Sequence, residues 1–324
     1  MAKSVLPLIF LLLICLPTEG AERYAGEFLN LGVGARPLGM GACFVAIADD
    51  ATATYWNPAG LGLLNRTEIA FMHAGIFGLD KHNFINYAQP LGKIGTFGLS
   101  WIRLGIDDIT ITKLPRPGAM SALNRPFISG YMQDTENAFM FSYGRRVKIE
   151  YRSIGTEVQI GGSAKLIYNF LSGVKRNAIG FGGDIGIIWR AREPGFSLGM
   201  TLQDIFGTKI LWNTTYSPTH TDVIPPNLRI GVAYSWQIPS ITSRILFSID
   251  ADTRYGWQDR YGIEYVFSEL LSLRAGIREH NLTAGAGINA SFAKGKSALS
   301  FLIDYAFLSH ELGNSHRISL ITRF

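Results

Sequence analysis

Six histidines are spread along the chain at His73, His82, His220, His280, His310 and His316. None belongs to an H-E-x-x-H pair, the spacing that lets one helix face offer two imidazoles to zinc. No G-x-S-x-G motif, phosphate loop or C-x-x-C pair is expected. His280 and His310 each have a glutamate beside them, Glu279 and Glu311. If both lay in loops on one side, they could support general acid–base work. A hydrolase whose site is assembled from distant segments is therefore one reading, and solvated loop histidines are the simpler account. The expectation is a non-enzyme without metal or cofactor.

The remaining charges follow a period rather than a motif. Between 297 and 307, Leu299, Phe301, Ile303, Tyr305 and Phe307 share one face, while Ser300 and Asp304 share the other. A period of two puts successive side chains on opposite faces of a strand. The same pattern places Arg229, Asp250, Asp252, Glu264, Arg274, Arg278, Asp304, Arg317 and Arg323 opposite apolar stripes. In a membrane barrel these nine would face the lumen, because an arginine or lysine facing lipid costs about 2–4 kcal/mol at the midplane. They are read as a lumen charge network that braces the wall and docks the segment inside it, or else as a polar track for a ligand or a cargo tail.

The alternation repeats in segments 67–76, 83–89, 96–104, 136–145, 157–170, 177–190, 196–206, 228–237, 245–252, 260–267, 271–278, 282–292, 297–307 and 315–324. This predicts an all-β transmembrane antiparallel barrel of about fourteen strands, an even number as expected of bacterial barrels. The two longest connections, 105–135 and 207–226, fall on the same side and should be external. Their aromatics Phe127, Tyr131, Trp212 and Tyr216 are candidate partner contacts.

Composition agrees. Hydrophobic residues make up 47% of 324 and mean hydropathy is +0.16. Yet past the leader no apolar run reaches the length a spanning helix needs. Lys3, the apolar stretch 5–16 and the small residues Gly20 and Ala21 read as a signal peptide over 1–20. Cys15 would leave with it, so Cys43 could form no internal disulfide. The net charge of +5 is dispersed, without the basic run of a nucleic-acid binder. The expected surroundings are outer-membrane lipid and lipopolysaccharide in a bacterial outer membrane. The organisation is a signal peptide (1–20), an N-terminal periplasmic or plug segment (21–66) and the barrel (67–324). A short helix from Ala51 to about Trp56 is expected, capped by Asp49 or Asp50 and stopped by Asn57-Pro58.

Two ends of the chain carry a family resemblance. Gly34-Ala35-Arg36, Gly39-Met40-Gly41, Phe44-Val45-Ala46, Ala48-Asp49-Asp50 and the run Tyr55 to Leu61 resemble the opening of the PorV/PorQ family, which is related to FadL-type transporters of hydrophobic compounds. Leu312 to Leu320 is similar to that family's end. Ala42-Cys43 departs mildly from the pattern. The resemblance implies a fourteen-stranded barrel with a luminal plug whose motif is Asp49, Asp50, Tyr55, Trp56, Asn57, Pro58, Ala59 and Gly60. For PorV/PorQ it implies type IX secretion, with translocon, cargo or surface-attachment partners, and this is the first functional reading. The alternative is a FadL-like transporter of hydrophobic small molecules, with Asn57-Pro58-Ala59 beside the path.

Overall fold

A computed structural model describes residues 25–324 except 77, 79, 119–123, 152–153, 175, 192–194, 214–219 and 295–296. The signal peptide and Tyr216 lie outside the described residues. The strands are β1 (Glu68–Ile76), β2 (Asp80–Pro90), β3 (Thr96–Lys113), β4 (Phe127–Tyr151), β5 (Ile154–Leu171), β6 (Arg176–Arg190), β7 (Phe196–Gln203), β8 (Thr208–Trp212) and β9 (His220–Ile224). They continue with β10 (Asn227–Ile238), β11 (Ser243–Asp252), β12 (Gln258–Phe267), β13 (Leu271–Arg278), β14 (Asn281–Lys294), β15 (Ser297–Leu308) and β16 (Ser315–Arg323).

Strands β1–β7 and β10–β16 form one antiparallel ring of fourteen, closed where β16 pairs with β1, from Glu68↔Arg323 to Gly75↔His316. Closure leaves the ring no open edge whose backbone groups would lie unpaired in lipid. β8 and β9 form a hairpin on the outer half of β6. The alternation read from sequence is the observed one. Asp250, Asp252, Glu264, Asp304 and Arg317 are buried inside, while Phe71, Phe247, Ile249 and Ile303 form part of an outward apolar surface, as lipid contact requires. No helix among the described residues is long and apolar enough to cross a membrane.

Three connections differ from expectation. The 105–135 stretch is mostly strand, because β3 and β4 continue as a tall hairpin past a register shift between Ile106 and Ile109. Phe127 and Tyr131 therefore sit on β4. The 146–156 stretch is also hairpin, with β4 and β5 meeting at Tyr151↔Ile154. The 207–226 stretch contains β8 and β9. Outside a bilayer both strand faces are wet, so hydrophobic alternation fades while ladder pairing continues.

Residues 26–64 occupy the interior as two short helices, α1 (Ala35–Gly39) and α2 (Ala53–Trp56), flanked by 3₁₀ turns at Glu27–Leu31 and Pro58–Leu63. α2 starts two residues later than expected. Asp50 still acts at its start, where Oδ1 accepts from the Thr52 N–H at 2.9 Å. Asn57 ends it in an extended conformation. This segment enters near the turn after β11, where Glu27 meets Tyr255. It leaves at the opposite end into β1. Wall glycines admit it. A Cβ on Gly199 would lie 2.3 Å from the Val45 carbonyl oxygen, one on Gly262 2.4 Å from that of Met40, and one on Gly161 2.4 Å from Pro58. Gly98, Gly144 and Gly276 are equally tight against Thr54, Pro58 and Gly41. Only hydrogen fits at these contacts.

Candidate functional site

The interior segment is held by a charge relay centred on Arg36, which is buried. Its Nε and Nη2 donate to Glu264 at 2.9 and 3.1 Å, a two-pronged bond of the strong, geometrically specific kind. Its Nη1 reaches Asp49 at 2.5 Å and Asp50 at 3.3 Å. Glu264 also takes Arg274 Nε at 2.8 Å and Arg244 Nη2 at 3.0 Å, and Arg274 passes on to Asp304 at 2.7 Å. Both acids bind the segment's own arginine, and that arginine binds the wall.

Burial alone would raise both segment acids. For Asp49 the Arg36 guanidinium, through charge and hydrogen bond, outweighs burial and holds the carboxyl well below the usual carboxylate range. For Asp50 burial wins despite Arg36, helped by the neighbouring Asp49 charge, and the group titrates high.

A second set binds backbone. Asp250 Oδ2 accepts the Phe44 and Val45 N–H groups at 2.7 and 2.9 Å. Asn57 Nδ2 donates to the Val45 carbonyl at 2.8 Å and, at 3.3 Å, to that of Ile187 on β6. Its Oδ1 accepts the Ala59 N–H at 3.2 Å. Asn57 therefore ties both arms of the segment to the wall as well as stopping a helix. Pro58 and Ala59 lie against Gly161, and Gly60 abuts Ala48 so closely that a Cβ would stand 1.9 Å from its carbonyl oxygen. Trp56 Nε1 donates to the Val33 carbonyl at 2.9 Å and Tyr55 bonds that of Leu29. Their rings meet edge-on at 4.9 Å, packing the segment against itself.

The nine lumen charges do not form one network. Glu264, Arg274 and Asp304 join the Arg36 relay. Arg229 lies 3.7 Å from Asp252, which Arg260 also meets, and the Arg229 guanidinium covers the Trp56 ring at 5.6 Å. Arg278 donates to the Asn30 carbonyl at 2.9 Å and to Glu279 at 3.2 Å. Arg323 binds Glu68 at 2.7 Å, and the other oxygen of Glu68 accepts the Ala51 N–H at 2.8 Å. Asp250 holds backbone, and Arg317 has no carboxylate partner among the described residues. Sequence reasoning passed over Arg36, although it stands in the quoted motif, and over Glu68. It also missed Lys165, which binds Asp184 at 3.1 Å and Asp204 at 2.9 Å. An inward lysine between an acid on β6 and one just past the end of β7 has no local signature.

Of the loop aromatics, Phe127 and Tyr131 are exposed on β4, and Trp212 on β8 donates to Asp222 at 2.6 Å. Glu279 and His280 form the tight turn between β13 and β14, with Glu279 engaged by Arg278 and Arg260. Gly195-Phe196-Ser197-Leu198-Gly199 spells G-x-S-x-G, which corrects the expectation that the chain holds no such motif. A nucleophile elbow needs a sharp strand-to-helix turn. Ser197 instead lies in the regular ladder of β7, opposite Ala233 and Arg190.

Two cavities flank the segment. One of about 640 Å³ opens at the short-turn end and is lined by Arg36, Asp49, Arg244, Glu264 and Arg274. The other, about 280 Å³, lies at the opposite end between Leu31 and the ends of β1 and β13–β16. Between them, Gly41 and Thr283 are bonded at 2.9 Å, and Gly39 packs on Gly285.

A closed ring with an apolar exterior and a filled, charged interior defines a bacterial outer-membrane β-barrel. The chain belongs to the uncharacterised protein family UPF0164, whose model matches residues 18–322. Among solved structures it is similar to the P. putida toluene transporter TodX, with 13% identity, TM-score 0.50, and coverage of 90% of this chain and 97% of that one. It is also similar to the CymD monoaromatic hydrocarbon channel, with 11% identity, TM-score 0.52, and coverage of 90% and 96%. At such identities the likeness is one of fold. It shows a barrel of the same architecture and does not support the narrower PorV/PorQ assignment. No curated protein sequence matches the chain.

Proposed function

We propose that the protein moves hydrophobic small molecules across the outer membrane, with residues 21–66 as its plug. The observation that carries this reading is the pair of cavities over the same wall, β13–β16, separated by α1 and the residues just after it. A molecule entering at the long-loop end meets Leu31, Ile76 and Leu308. It reaches the periplasmic cavity if the Arg36 relay yields and α1 shifts. The named cargo of TodX and CymD, toluene and monoaromatic hydrocarbons, suits this reading. The test is uptake of radiolabelled toluene by cells whose own hydrocarbon channel is deleted. Expression of this chain should raise uptake above vector alone. Equal uptake, with heat-modifiable barrel present in the membrane, would refute it.

A second reading, binding of secretion partners or cargo, rests on the β3–β4 hairpin. There Phe127, Ile128 and Tyr131 stand 50, 55 and 62% exposed. Recovery of a large translocon or surface protease in a mild-detergent pull-down would favour it. That recovery should be lost on replacing Phe127 and Tyr131 with serine.

A further inference from the structure

Arg317 is the anomaly of the interior. It is 3% exposed, lines the 280 Å³ cavity, and makes no ion pair among the described residues. Its Nη1 has only the Gly32 carbonyl at 3.4 Å and His82 Nδ1 at 3.2 Å. Its Nε has no partner. The residues directly across from it on the adjoining strands are Ala74 and Ala306, so neither strand supplies a carboxylate. A buried guanidinium without a counter-charge is costly unless something supplies one. Arg278 and Glu279 line the same cavity and pair with each other at 3.2 Å, and Glu279 also takes Arg260. Arg317, Arg278 and Glu279 together leave one positive charge unbalanced.

The rest of the lining includes aliphatic surface from Leu31, Ile76 and Leu308. The volume falls just below the usual range for ligand pockets, about 300–1,000 Å³. We propose that this cavity binds a compact organic monoanion, its carboxylate on Arg317 and its apolar body against Leu31, Ile76 and Leu308. A carboxylate there completes the missing ion pair through Nε and a terminal nitrogen, the fork geometry arginine favours. A neutral hydrocarbon fills the same space and leaves the guanidinium uncompensated. As an entry subsite the cavity rests on the transport reading above. As a binding site it does not.

The experiment is calorimetric titration of the detergent-solubilised full chain with sodium benzoate, and with benzyl alcohol as the uncharged counterpart. Benzoate should bind at least tenfold more tightly than benzyl alcohol. Arg317→Gln should remove that difference, and Arg317→Lys should keep part of it. Ser315→Asp places a carboxylate on the same face two residues earlier, at a residue that also lines the cavity. It should abolish benzoate binding by supplying the counter-charge internally. Heat-modifiable migration checks that each variant is folded, and if Arg317→Gln does not fold, Ser315→Asp decides. Equal affinity for the two probes, or benzoate binding undiminished by the folded variants, overturns the proposal. Toluene uptake by cells together with indifference to benzoate sinks the site and leaves transport standing. Benzoate binding without toluene uptake does the reverse.

Discussion

Arg36 concentrates the energetics of the interior on one side chain. Replacing it with methionine keeps much of its length but leaves Asp49 and Asp50 side by side without their nearest cation and removes two bonds from Glu264. Breaking a buried pair from one side costs about 3–5 kcal/mol. Arg36→Met should therefore lower the midpoint of denaturant unfolding sharply, while Arg274→Met, which leaves Arg36 on Glu264, should cost less. The pH dependence has a definite sign. The folded Asp49 carboxyl titrates below its unfolded value of about 3.9, so its contribution is complete above that value and is lost as pH falls toward the folded one. Asp50, raised by burial, works in the opposite sense. Asp49→Asn should flatten the loss of stability between about pH 4 and pH 2, read from unfolding midpoints, and an unchanged slope would contradict the relay. At this scale the sequence was half legible. Period two sent Asp250, Glu264 and Asp304 inward, but which cation meets which anion depends on strand register and on a segment that does not alternate.

At the scale of elements, the N-terminal segment and the wall glycines are one design. The sequence is rich in glycine, with 36 in the chain, and abundance alone gave no way to separate turn glycines from wall glycines. The structure separates them by what a side chain would strike. Gly262→Leu should push the segment away from β12 while the ring still closes, because the obstacle is the Met40 backbone and not a strand partner. Limited proteolysis of intact barrel should then cut between residues 30 and 60. Gly75→Ala is the control, since nothing lies within 4 Å of a Cβ there, and it should leave the pattern unchanged. Asn57→Ala removes the bond to the Val45 carbonyl, and its cost, about 1–3 kcal/mol for an unsatisfied buried group, should appear as the same proteolytic sensitivity. The strand list was legible wherever lipid imposes a stripe, as in β10 through β16. It included β3, β4 and β5 but not their full length, because the tall hairpins outrun the stripe, and it missed β8 and β9.

For the whole molecule, closure is the dominant fact. The β16–β1 seam completes a hydrogen-bonded ring, and such rings resist detergent until heated. Purified protein should give a predominantly β circular dichroism spectrum and migrate differently on gels before and after boiling. A largely helical spectrum would contradict the fold. The even strand number and the membrane location were legible from periodicity and composition together, since each alone also fits a soluble sandwich. The lumen's contents were legible only through the motif at 34–61, because a segment without a repeat does not declare where it packs.

Glu68 opens the first strand, and its two oxygens face different histories. One takes Arg323 of the last strand, the other the amide of Ala51 in the interior thread. The seam of the cylinder and the seating of its contents therefore meet on a single carboxylate. A ring closed without the thread would deprive one of those oxygens of its amide donor, so the two ends of the strand order and the lumen's occupant are joined through one side chain.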